Sequence, residues 1–149
     1  MSDISSLEVG QVYLELHKRL HRLVDEAMTA TGLSLARAKL LQELEDGGRV
    51  NQATLAANLN LSPRSVTELV DSLERDALAE RTANPADRRS WLVGITPAGA
   101  DALVKAVSAR NTQFDQIFGA LNASSRVKLV ALLKTISRSL NASGEANAQ

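Results

Sequence analysis

The chain has 149 residues with 17 basic and 17 acidic side chains, so it carries no net charge. A single domain of this size buries about 68–70% of its unfolded surface and needs no covalent staple. Cysteine is absent, which excludes disulfides, thiolate metal sites and thiol redox sensing within these residues and fits a reducing cytoplasm.

The N-terminal run MSDISSLEVGQV has neither a basic region nor a long apolar stretch, so no signal peptide is expected. No segment is apolar for long enough to span a bilayer, and a cytoplasmic protein without a membrane partner is the expectation. Ser5 and Glu8 form a capping box, which starts a helix running to about Thr31. Val9, Tyr13, Leu16, Leu20, Leu23 and Ala27 alternate spacings of four and three along it, a heptad seam suited to another helix, including one from a second chain. Gly32 ends it. Ser34 caps a second helix to about Glu45, with Ala36, Leu40, Leu41 and Leu44 facing inward. Asp46-Gly47-Gly48 is a turn, and Asn51 caps a third helix, Gln52 to Leu59.

After Asn60-Leu61, Ser62 and Pro63 supply the cap and first position of a fourth helix. Val66, Leu69, Val70 and Leu73 form its apolar stripe; Arg64, Glu68, Asp71 and Arg75 lie opposite, flanked by Ser65 and Thr67. Two short helices joined so closely outline a helix-turn-helix. Leu78–Thr82 then reads as a strand, Asn84-Pro85-Ala86-Asp87 as a turn, and Ser90–Ile95 as a second strand. Thr96-Pro97 starts a helix of about Ala98 to Gly119. Asn122 caps a last helix carrying Val127, Val130, Leu133, Ile136 and Leu140, and the small polar tail from Asn141 is expected to be disordered.

The fold class expected is mainly α with a small β-hairpin wing: a winged helix-turn-helix with long N- and C-terminal dimerisation helices. Within one domain, 1–149, the winged region spans 34–96 and the dimerisation helices 5–31 and 97–141. The outer helices carry more apolar surface than the small winged part needs, which points to a homodimer.

Several residues are shared with a known family. Leu73-Glu74-Arg75, Leu78, Arg81, Asp87-Arg88-Arg89, Leu92, Val93 and Ile95-Thr96-Pro97-Ala98-Gly99 closely resemble the MarR family of bacterial transcriptional regulators. Leu55-Ala56, Leu59, Leu61-Ser62 and Val66-Thr67 resemble the upstream half of its signature. Ala77 stands where the family often has glycine, and Glu68 and Asp71 where it often has Arg or Lys. The resemblance implies a triangular dimer on a palindromic operator, and a small phenolic or anionic effector bound between the dimer helices and the winged region.

The expected function is therefore a ligand-responsive DNA-binding transcriptional regulator, a repressor, acting as a homodimer on double-stranded DNA. Ser62, Arg64, Ser65, Thr67, Glu68 and Asp71 are the DNA-contact candidates on the recognition helix, with Arg64 suited to guanine and Glu68 to cytosine. Arg88 and Arg89 in the wing suit a phosphate or the minor groove, and Asp87 is expected to hold one of them in place. Tyr13, His17, Arg37 and Leu41 are the effector candidates. Charge counts against this reading. Ser62–Arg89 holds five arginines (64, 75, 81, 88, 89) against six acids: Glu68, Asp71, Glu74, Asp76, Glu80 and Asp87. Binding would rest on placement rather than on bulk charge.

His17 and His21 stand at metal-ligand spacing, but without HExxH or cysteine they read as two exposed helix histidines. Trp91 reads as wing packing. No metal, cofactor or catalytic constellation is expected, and so no enzyme. The alternatives are a winged-helix protein-interaction module without DNA binding, told apart by whether duplex DNA binds, and a metal-dependent enzyme using the two histidines, told apart by bound metal.

Overall fold

The computed structural model describes residues 4–146. The elements run α1 (Ser6–Thr29), α2 (Leu35–Gly47), β1 (Val50–Asn51), α3 (Gln52–Leu59), α4 (Pro63–Arg75), β2 (Ala79–Asn84), β3 (Asp87–Ile95), α5 (Pro97–Phe118) and α6 (Ala123–Ala146). Each helix starts on a side-chain oxygen that accepts from the third residue on. These pairs are Ser5 with Glu8, Ser34 with Arg37, Asn51 with Thr54, Ser62 with Ser65, Thr96 with Gly99 and Asn122 with Ser125. Local chemistry thus fixes where every helix begins.

By its contacts the chain forms two compact units, a larger one up to Gln113 and a smaller one from Phe114. The core of the larger unit gathers around α2. Leu40, Leu41 and Leu44 have no exposed surface, and Leu55, Val66, Val70, Leu73 and Val93 close over them from α3, α4 and β3. α1 joins this core through Val24 and Met28, and Asp25 accepts the Leu35 N–H at 2.9 Å across the α1–α2 corner. No polar or charged residue is buried among those described.

Three expectations need correction. Ala36 is exposed; Ala38, half a turn further on, is the buried alanine of α2. The wing is not a bare hairpin. β1 pairs antiparallel with β3, Val50 against Val93 and Asn51 against Leu92, giving a three-stranded sheet in the order β1-β3-β2. The tail from Asn141 is helical as far as Ala146, continuing α6, while its last three residues lie outside those described.

The heptad seam of α1 faces outward. Val9, Tyr13, Leu16 and Leu23 are exposed. In the smaller unit Val127, Val130, Leu133, Ile136 and Leu140 are exposed on α6, and Phe114 meets Phe118 edge-on at 6.1 Å.

Candidate nucleic-acid interface

α4 is anchored by Val66, Val70 and Leu73, all without exposed surface, so its other side must face out. Ser62 accepts the Ser65 N–H at 3.1 Å and donates its hydroxyl to Ser65 Oγ at 2.9 Å. Arg64 and Glu68, one turn apart, pair at 3.1 Å with side chains 89% and 66% exposed. So open a pair is worth little to stability and is free to part when a ligand offers better partners.

Thr67 and Asp71 differ, because both are built into a network. Arg81 of β2 donates from Nη1 to Glu74 and from Nη2 to Asp71, both at 2.6 Å, and from Nε to Gln52 Oε1 at 3.0 Å. Its backbone N–H donates to Glu74 at 3.2 Å. Gln52 donates in turn to Thr67 Oγ1 at 3.1 Å. Burial disfavours the charged guanidinium, but the hydrogen bonds and charges of Asp71 and Glu74 outweigh it and raise its pKa above the ordinary arginine value. Arg81 therefore stays charged, and its single positive charge, shared by two acids of the reading helix, offsets one of their two negative charges from behind. Sequence alone places Arg81 in the family signature and among the arginines of 62–89, and gives Gln52 no role beyond opening α3. Their partners lie 7, 10 and 29 residues from Arg81, beyond any local pattern.

The wing turns at Pro85-Ala86, where Asn84 Oδ1 accepts the Ala86 N–H at 3.0 Å and Asn84 donates to Ser90 Oγ at 3.0 Å. A register shift falls between Ala83 and Asn84. Asp87 Oδ1 accepts the Arg89 backbone N–H at 3.0 Å and lies 3.8 Å from its Nε. Arg88 is exposed and forms no ion pair with any described residue. Trp91 is not wing packing: it is 53% exposed. With Arg89, Ser90 and Asn84 it lines an open groove of about 540 Å³ whose other wall is Asn51 and Gln52 at the start of α3.

Of the four effector candidates only Tyr13 and His17 meet; among the described residues no hydrogen bond or ring contact joins them to Arg37 or Leu41. Tyr13 stacks on His17 at 6.0 Å on the exposed side of α1, and His17 meets His21 at 6.2 Å. Leu41 has no exposed surface. Arg37 crosses from α2 to the end of α4, donating to Asp76 at 2.6 Å and to the Ser72 carbonyl at 3.4 Å, while its buried Nε has no partner. Among the described residues no group of three or more His, Cys, Asp or Glu is placed to hold a metal.

The model of the MarR family matches residues 33–91, which run from the start of α2 into β3. A Thauera aromatica protein named for transcriptional regulation of the hcr operon is 30% identical over 146 residues, covering 92% of this chain and 87% of its own. The chain belongs to the MarR family. The HTH-type transcriptional repressor NicR of Pseudomonas putida is 27% identical over 128 residues, covering 85% of this chain and 80% of its own. A cysteine-to-serine variant of E. coli MarR, solved with operator DNA, superimposes with a TM-score of 0.75 at 22% identity, covering 86% and 92% of the two chains. That likeness shows the winged-helix fold. As a MarR-family member the chain is a transcriptional regulator, and the relatives are named as regulators, not as enzymes. No helix among the described residues is long and apolar enough to cross a membrane.

Proposed function

We propose that this MarR-family chain is a cytoplasmic, ligand-responsive repressor that binds a palindromic operator as a homodimer. The observation that carries the DNA reading is the free side of α4. Its buried stripe leaves Arg64, Thr67 and Glu68 exposed, while Arg81 offsets one of the two negative charges of Asp71 and Glu74 and so lessens their repulsion of phosphates. Arg88 and Arg89 stand exposed beside it on the wing. Dimerisation is supported by the apolar side chains left open on α1 and on α6. Repression is carried over from the named repressors among the relatives.

In this proposal the effector, a phenolic or anionic molecule, binds between the dimer helices and the winged region, with Tyr13 and His17 as candidates for stacking and Arg37 as a candidate for an anionic group. Leu41 is closed off in this conformation. Binding would alter the spacing of two α4 helices and so couple the sites.

The test is a set of equilibrium titrations over single-base operator variants at several salt concentrations. Arg89→Ala should weaken binding to every variant alike and reduce the salt slope by about one unit per chain. Arg64→Ala should cost about 1–3 kcal/mol at one base position in each half-site. If the unaltered protein binds no duplex DNA, the protein-interaction reading, which zero net charge favours, replaces this one.

A further inference from the structure

We propose that Gln52 and Arg81 set the polarity with which Thr67 reads DNA: its hydroxyl is held as an acceptor, so it requires an amino-bearing base, adenine or cytosine, in each half-site. This rests on the DNA-binding reading above and goes beyond it by stating which bases α4 accepts.

The argument is a count of hydrogens. A threonine hydroxyl has one proton to donate and two lone pairs. The proton of Thr67 goes to the Pro63 carbonyl, 3.0 Å away within α4. One lone pair accepts from Gln52 Nε2 at 3.1 Å. That bond excludes the rotamer that points the proton at Gln52, and the proton keeps the Pro63 carbonyl as its partner; turning it outward would give up that bond.

The direction of the Gln52 amide is not arbitrary. Arginine has only donors, so the oxygen of Gln52 must be the atom that faces Arg81 Nε at 3.0 Å. A flipped amide would set N–H against N–H. Arg81 cannot yield, because two 2.6 Å bonds to Asp71 and Glu74 fix its other nitrogens and its side chain is only 16% exposed. Polarity is thus relayed from β2 through α3 to α4.

One lone pair remains on the exposed Thr67. It has nothing to offer a phosphate oxygen, guanine O6 or thymine O4, all of which are acceptors. It matches adenine N6 and cytosine N4, the major-groove donors. Thr67 is therefore a base-reading residue, and Gln52 and Arg81 are positioning residues that never touch the base.

The experiment selects duplexes from a random-sequence pool with four proteins: wild type, Thr67→Val, Thr67→Ser and Gln52→Leu. In wild type one position per half-site should be dominated by A or C on one strand. Thr67→Ser should keep that preference and Thr67→Val should flatten it. Gln52→Leu frees the hydroxyl to donate and should admit G or T there. An operator in which purine, lacking the 6-amino group, replaces adenine at that position should bind wild type about five- to tenfold more weakly, the scale of one lost hydrogen bond, and Thr67→Val no more weakly than it binds adenine. Should Thr67→Val fail to fold, the purine substitution decides alone. If DNA is selected but Thr67→Val leaves every base frequency unchanged, or purine binds wild type as well as adenine does, this inference falls and the DNA reading stands. If Gln52→Leu keeps the A or C preference intact, the relay is refuted. If wild type enriches no duplex at all, both readings fall together.

Discussion

Replacing Gly99 with alanine drives a methyl group into backbone that has no room to retreat. The new carbon would overlap the Leu78 carbonyl oxygen and come within 2.9 Å of both Ile95 Cγ1 and the Leu78 carbonyl carbon. Three hydrogen bonds pin that spot. Leu78 accepts from the Thr96 N–H at 3.1 Å, Leu78 donates to Leu73 at 2.9 Å, and Thr96 Oγ1 donates to the Ala77 carbonyl at 2.7 Å. Together they join the end of α4, the start of β2 and the start of α5. Overpacking alone costs about 1–3 kcal/mol, and breaking one or two of these bonds adds about 1 kcal/mol each, so about 2–5 kcal/mol is expected. At about 2–4 °C per kcal/mol for a chain of this size, the thermal midpoint should fall by roughly 4–20 °C. Urea unfolding followed by circular dichroism, with the slope checked for constancy, measures the loss directly. A loss below about 1 kcal/mol would mean that the junction is soft, and would refute the view that Gly99 is demanded by close backbone approach.

Ala77, at φ 58°, sits in the left-handed region after α4 and is not a glycine, so Ala77→Gly should stabilise the chain by about 0.5–1 kcal/mol in the same urea assay. A destabilised variant would count against strain there. Trp91 is the sole tryptophan and half-exposed beside Arg89, so its emission should change on adding duplex DNA and recover in high salt; an indifferent signal would separate the groove from the DNA. Leu16→Asp together with Leu133→Asp should give monomers or insoluble chains in sedimentation, since each places an unpaired charge in an apolar face proposed to be buried between chains; a soluble dimer would defeat that interface.

What the sequence made legible was local. Each helix start was visible because the cap and its target N–H lie three residues apart, and the α4 faces followed from one apolar stripe. β1 was hidden because two residues become a strand only through β3, some 40 positions away. Trp91 misled for a related reason. It shares a face of β3 with fully buried Val93, yet two residues further out, past the stretch that β1 flanks, the same face is open and Trp91 is 53% exposed. The acids of α4 looked hostile to DNA because their arginine partner is on another element. Side-chain networks between distant segments are set by the fold, and no periodicity reports them.

The β1 tie has a mechanical side. β1 runs directly into α3 and is hydrogen-bonded to β3, so the root of the wing cannot swing away from α3 without unzipping the sheet. In the homodimer proposed above, each head then moves as one rigid tooth, wing and α3 together, on a two-toothed gauge, and what the pair measures is distance along the duplex. Half-sites read by such a gauge must keep their separation and phase. Inserting roughly five base pairs between them, about half a helical turn, carries the second half-site to the far side of the DNA, out of register with a head that faces the first side.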